Sequence, residues 1–347
     1  MRFSLSFFSS LDDAESADRY GLVLEAARFA DENGFTAVWV PERHFQPFGG
    51  LFPNPSVIGA ALAMVTRRVG IRAGSVVLPN QNPLRVAEEW AAVDCLSGGR
   101  VGIAFAAGWH PNDFVISPDN FEKRRELMYE RIPTFTRLWR GEPVACRNGA
   151  GEEVSVLTYP RPVQRDVPLW LTAARDVEIF RRAGAMGMNV LTYLVGHTPA
   201  ELAEKIAEYR KARAESGHDP DGGQVTVTIH AFLGEDLEEV RQRVREPFIR
   251  YLRSFMNLMD AYVRGARKDL DPSAISPRWI DYMLENAFER HFRTSTLLGT
   301  VESCSERVAA LAKIGVTELA CLVDFGVERE LVLERLPHLA RLAEQHA

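Results

Sequence analysis

From end to end, the chain alternates between short apolar runs and longer stretches whose apolar residues recur at helical spacing. This alternation is the strongest constraint on the fold. A strand, a helix and a second strand in succession close most simply as a parallel unit. Phe3–Phe8 reads as a first strand. Tyr20, Val23, Ala27 and Ala30 then mark a helix that Asn33-Gly34 ends. Further strands are predicted at Ala37–Val40, Ile71–Leu78, Val101–Ala106, Leu169–Thr172, Val190–Leu194, Val225–Phe232 and Leu319–Val323. Helices are predicted at Val57–Val65, Leu84–Leu96, Glu122–Trp139, up to Met186, at Glu201–Ser216 and at Val301–Ile314, with a leucine-rich helix closing the chain.

Eight βα units predict an α/β chain folded as one (β/α)8 TIM-type barrel over residues 1–347. Two insertions interrupt the rhythm. Residues 142–163 hold turn formers around a hairpin in which Val154, Val156 and Tyr159 alternate. Residues 234–298 hold amphipathic stretches near Glu238–Val263 and Pro277–Phe288. The alternative is a doubly wound sheet, which would present G-x-G-x-x-G after the first strand. That position reads Ser9-Ser10-Leu11-Asp12-Asp13, without glycine. There is no P-loop, H-E-x-x-H or short repeat, and no set of residues has metal-ligand spacing.

Composition narrows the class. The formal charge of −6 argues against nucleic-acid or acidic-membrane partners. Cys95, Cys146, Cys304 and Cys321 form no C-x-x-C pair, so reduced thiols and a cytoplasmic home are expected. The apolar start of the chain is too short for a signal peptide, and no run is long enough to span a membrane.

A barrel of this kind places its site at the C-terminal ends of its strands. That rule selects Pro41-Glu42-Arg43-His44-Phe45, Pro79–Pro83, Ala106-Ala107-Gly108-Trp109-His110, Thr172-Ala173-Ala174-Arg175, His230 and Asp324. Each also has a structural reading. His44 could be satisfied within its turn, His230 could hydrogen-bond inside the barrel, Asp324 could cap a turn, and His110–Asp113 suits turn chemistry. Small residues at Ala73-Gly74-Ser75, Ala106-Ala107-Gly108 and Ala173-Ala174 leave backbone open, a floor for a flat ring system. Arg175 beside a helix start suits a phosphate.

The run Gly34-Phe35-Thr36-Ala37-Val38-Trp39-Val40-Pro41-Glu42-Arg43-His44-Phe45, with Gly49-Gly50 and Pro53-Asn54-Pro55, resembles the bacterial-luciferase-like flavin monooxygenases. So do Val76–Pro79, Pro83–Glu89, Leu96–Gly102, Gly108–Phe114 and Leu297–Thr300. The likeness spans nearly the whole chain and is closest to a subgroup associated with natural-product biosynthesis. It implies reduced FMN supplied by a separate flavin reductase, and O2 that reacts to give a flavin peroxide. The substrate would be a small molecule or one tethered to a carrier protein. Among site residues it implies a non-proline cis peptide at Gly74-Ser75, Ala106 facing the reactive ring carbon, Ala107 and Trp109 beside the flavin, and a phosphate turn at Ala173-Ala174-Arg175. His110, His230 and Asp324 are substrate-pocket candidates. Luciferase carries two adjacent histidines where this chain has Arg43-His44, and its catalytic one aligns with Arg43; its phosphate-binding arginine is Ala107 here. Light emission and an aldehyde substrate therefore do not follow. His44 is assigned acid–base work and Arg43 an electrostatic role.

Other readings of the same barrel are a deazaflavin-dependent dehydrogenase and a non-catalytic flavin-binding relative. A homodimer is expected through Leu84–Leu96, where Val86, Trp90 and Val93 accompany Glu88 and Glu89. The 234–298 insertion is expected to cover the site with Phe248, Tyr251, Leu252, Phe255 and Met259 on its inner face.

Overall fold

The computed structural model describes residues 1–8, 18–194, 198–266 and 276–347, with backbone alone over 259–266. The elements in order are β1 (Arg2–Ser6), α1 (Gly21–Glu32), β2 (Ala37–Val40), α2 (Pro55–Val65), β3 (Gly70–Val77), α3 (Pro83–Ser97), β4 (Val101–Ala106) and α4 (Arg124–Arg140). They continue with β5 (Val144–Arg147), β6 (Glu153–Val156), β7 (Leu169–Thr172), α5 (Val177–Ala185), β8 (Asn189–Tyr193), α6 (Pro199–Glu215) and β9 (Val225–Leu233). The chain ends with α7 (Leu237–Ala266), α8 (Pro277–Thr294), β10 (Leu297–Gly299), α9 (Val301–Lys313), β11 (Glu318–Leu322) and α10 (Arg329–Gln345).

Eight parallel strands close in the order β1-β2-β3-β4-β7-β8-β9-β11 and back to β1. The closure excludes the doubly wound sheet. Local chemistry sets the helix starts. Asn54 accepts from the Ser56 amide ahead of Pro55, and Asn82 accepts from the Leu84 amide ahead of Pro83. Thr198 with Glu201, and Thr300 with Ser303, close reciprocal caps. Gly98 ends α3 at φ 70°, in the left-handed region that glycine adopts freely.

Residues 142–163 contain the expected hairpin, β5 paired antiparallel with β6, although Tyr159 lies beyond it. The 234–298 insertion folds as the helices α7 and α8 and the short strand β10, which extends the sheet beside Ala231–Leu233 of β9. The sequence reading did not include β10. Residues 9–17, which include Ser9–Asp13, lie outside the described residues, as does the side chain of Met259.

The outer core is apolar and joins the sheet to its helices. Inside the barrel, Trp39, Ala104, Trp170, Leu191 and Ala320 form a separate cluster. Arg72 lies between the Trp39 and Trp170 rings, 5.0 and 4.8 Å from their centroids. Its Nη1 donates to both oxygens of Glu318, at 2.8 and 2.9 Å. Ser4 and the Trp39 indole donate to the same carboxylate. Burial would raise the Glu318 carboxyl; Arg72 and these hydrogen bonds outweigh it and hold the group below its ordinary value. This network fills the barrel from the N-terminal end of β11.

The structure corrects the reading of α3. Val86, Trp90 and Val93 are buried in the chain's own core, so they form no outward apolar face. The neighbouring surface of α2 does expose apolar side chains, Val57 at 63% and Met64 at 66%.

Candidate active site

The segment after β2 is unusually polar for its burial. Glu42, Arg43 and His44 are 4, 4 and 8% exposed. Glu42 is the hub. Its Oε2 accepts from the Val77 amide at 2.8 Å and its Oε1 accepts from Gln81 Nε2 at 2.6 Å. His44 Nε2 lies 2.9 Å from the same Oε1. A carboxylate with amide donors orients the imidazole, so Nε2 carries the ring proton and Nδ1 is the basic atom. Next to it, Phe45 adopts φ 56°, rare for a bulky residue, and turns its ring out to solvent. Glu89 is engaged by Ser56 and Arg85 of its own chain.

Arg43 reaches across to the segment after β4. Its Nη1 donates to Asp113 Oδ2 at 2.8 Å, and its guanidinium lies 5.4 Å from the Trp109 ring centroid. Burial raises the Asp113 carboxyl, opposed by Arg43, while burial and then Arg43 lower His110 and keep its ring neutral. His110 is 1% exposed and its Nδ1 accepts from the Asn112 amide at 3.3 Å, which leaves the ring proton on Nε2.

The small-residue floor is present. The Gly74–Ser75 peptide is cis, at the point where the β3–β4 register shifts. The Ser75 hydroxyl pairs with Thr172 of β7. Ala106, Ala107, Gly108, Trp109 and Ala174 are half-buried and Ala173 is buried, so three strand ends present little bulk. At the end of β7, Asp176 caps α5 by accepting from the Glu178 amide, and the turn also carries the cationic Arg175. Arg175 is exposed, and its charge is felt by Tyr193 of β8 and Lys205 of α6.

The opposite side of the mouth is aromatic. His230 is packed by Phe248, Tyr251 and Phe325, with centroids at 4.9, 4.7 and 5.6 Å. Tyr251 also meets Phe48, which meets Phe8. Burial, and secondarily His291, push His230 down to about 3, so the ring is neutral at working pH. Asp324 accepts from the Phe8 amide with both oxygens at 2.8 Å and ties β11 to β1. Of the expected lid residues, Phe248 and Leu252 are buried and Tyr251 and Phe255 half-buried.

The structure thus brings Arg43, His44, Trp109 and His110 to one side of the mouth and His230 and Asp324 to another, with the small residues between β3 and β7. Sequence reasoning missed Glu42 as an organiser, Asp113 as the partner of Arg43, and Tyr193 and Lys205 beside Arg175. Glu42 and Asp113 stood inside the quoted motifs; acidic residues beside a histidine and an arginine were the available signal. Among the described residues no cluster could hold a metal ion, and no helix is long and apolar enough to cross a membrane.

The family model described as luciferase-like monooxygenase matches residues 1–318. The chain is similar to the oxygenase component of a flavin-dependent trigonelline monooxygenase of Acinetobacter baylyi, 26% identical, over 95% of this chain and 91% of that one. In structure it is similar to monooxygenase RslO1 of Streptomyces bottropensis, with TM-score 0.79 and 23% identity over 100% of this chain and 99% of that one. It is also similar to the oxygenating constituent of 3,6-diketocamphane monooxygenase of Pseudomonas putida, a type II Baeyer-Villiger monooxygenase in complex with FMN. There the TM-score is 0.77 and the identity 19%, over 99% of this chain and 97% of that one.

Proposed function

Because this chain belongs to the luciferase-like monooxygenase family, we propose that it is the oxygenating component of a two-component enzyme. It takes reduced FMN from a separate flavin reductase and uses O2 to oxygenate a small organic or carrier-tethered substrate in natural-product biosynthesis. The observation that carries this reading is the pairing of a low, small-residue floor across β3, β4 and β7 with a buried Glu42–His44 pair at its edge.

The residues fit such a cofactor. Gly74, Ser75, Ala106, Ala107 and Ala173-Ala174 leave room and backbone groups for a flat ring, and Trp109 stands beside it. Arg175 and Lys205 suit its phosphate. Reduced FMN, when bound, supplies the activation of dioxygen. The chain's own residues do the rest. His44 takes and returns a proton at Nδ1, held in place by Glu42 at Nε2. The aromatic wall of Phe48, Phe248, Tyr251 and Phe325 excludes water. The helix α7 carries Phe248 and Tyr251 of that wall and α8 packs against it through Phe288, with the neutral His230 against the wall and Asp324 beside it.

The test is oxygen uptake by the protein supplied with reduced FMN, alongside NADH consumption with and without an added reductase. Uptake that depends on the reductase is expected. Rapid NADH oxidation by the purified protein with FMN alone would show that it reduces its own flavin. Absence of oxygen uptake, together with hydride transfer to a deazaflavin, would replace this reading with the dehydrogenase one.

A further inference from the structure

Half of the buried polar side-chain atoms that lack a partner among the described residues belong to one cluster: Arg43 Nε and Nη2, His110 Nε2 and Asp113 Oδ1. The three residues are 4, 1 and 2% exposed. A buried donor left unpaired costs about 1–3 kcal/mol, and more when it carries charge, so such a concentration needs a reason. Their arrangement supplies one. Of the Arg43 nitrogens, Asp113 engages Nη1, and the His44 backbone amide is turned toward the same carboxylate. The two orphaned nitrogens, Nε and Nη2, form one edge of the guanidinium, whose parallel N–H bonds match the two oxygens of a carboxylate. His110 adds a third donor, because its Nδ1 is already an acceptor and its proton sits on Nε2.

We infer that the Arg43 edge, with His110 Nε2, is a subsite for a carboxylate of the substrate. The inference rests on the proposed oxygenase reading and names its substrate class: organic acids. Asp113 holds the guanidinium from the far end and offsets its charge while the subsite is empty. The floor residues are uncharged, and the Arg175–Lys205 pair stands apart from the subsite, at the end of β7.

Calorimetry and tryptophan fluorescence on the flavin-free protein test this without turnover. The probes are benzoate and its neutral counterpart benzamide. Benzoate is expected to bind and to change the emission of Trp109, identified by its loss in Trp109→Phe; benzamide is expected to do neither. Arg43→Lys keeps the charge but loses the two-pronged edge, and should weaken benzoate at least about tenfold. Asp113→Asn removes a competing negative charge from a still-buried guanidinium. It should tighten benzoate binding and make benzoate raise the melting temperature more than in the wild type. A purely structural Arg43–Asp113 pair would not produce that opposite sign. No benzoate binding, equal binding of benzamide, unchanged affinity in Arg43→Lys, or displacement of benzoate by inorganic phosphate would each overturn the inference. Oxygen uptake with reduced FMN is measured separately, so failure of the subsite and failure of the oxygenase reading are distinguishable.

Discussion

At the scale of single residues, burial decides what each titratable group can do. His44 is held at one nitrogen by Glu42, which suits a group that must present the other nitrogen in a fixed direction. His44→Gln should leave FMN affinity nearly unchanged and slow product formation about 100-fold, the range for loss of a general acid or base. Full coupled turnover in this variant at every pH would remove the assignment. His230 and His291 have a different consequence. Burial pushes them down to about 3 and about 4, whereas an unfolded histidine titrates near 6.5. Between those values the unfolded chain binds protons that the folded chain refuses. Their contribution is therefore complete above about pH 6.5 and is lost as pH falls toward 4, by up to about 1.4 kcal/mol per unit for each. His230→Phe, placed among Phe248, Tyr251 and Phe325, should flatten that slope. Denaturant titrations at successive pH values between 7 and 4 would show it, and an unchanged slope would mean that His230 is not the proton-refusing group.

At the scale of elements, α7 and α8 are joined at their outer surfaces by Arg241–Glu289, Arg245–Glu285 and Arg253–Asp281, with every cation on α7 and every acid on α8. Such exposed pairs contribute about 0–1 kcal/mol each and weaken in salt. If the 234–298 insertion is the cover of the site, proteolysis should cut it first, faster at high salt and more slowly once FMN and substrate are bound. Cleavage that begins in the β5–β6 hairpin and ignores ligand would argue against this. The elements also show what a sequence can disclose. Eight barrel strands were legible because each is an apolar run bounded by turn residues, and both long helices of the insertion were legible from their period. The strand β10 is three residues, Leu297–Gly299, too short for any period to register. Arg43 and Asp113 lie 70 positions apart and Arg72 and Glu318 lie 246 apart. Parallel pairing of β2, β3 and β4 brings the first pair together, and the barrel interior brings the second. The apolar face of α3 was legible, but spacing alone does not say whether it is covered by its own chain or by another.

For the molecule as a whole, that correction moves the expected dimer contact from α3 to α2. Val57 and Met64 stand on one face of α2, with Leu96 of α3 also exposed at 53%. A homodimer built there should be broken by Met64→Glu with Val57→Lys, and light scattering would then report the monomer mass. A wild-type chain that already scatters as a monomer at low concentration would exclude the dimer. The Arg72–Glu318 network, wedged between Trp39 and Trp170, has a kinetic corollary. A barrel plugged at one end has a single doorway, and everything that reaches its floor must pass the place where the next component sits. Reactants then cannot load at random. On the proposed reading the flavin rests on the small-residue floor with the substrate above it, so flavin should arrive first and leave last, and a dead-end substrate analogue should trap it inside. Its dissociation, followed after dilution, should slow as the analogue is raised, whereas a barrel open at both ends would release flavin at a constant rate.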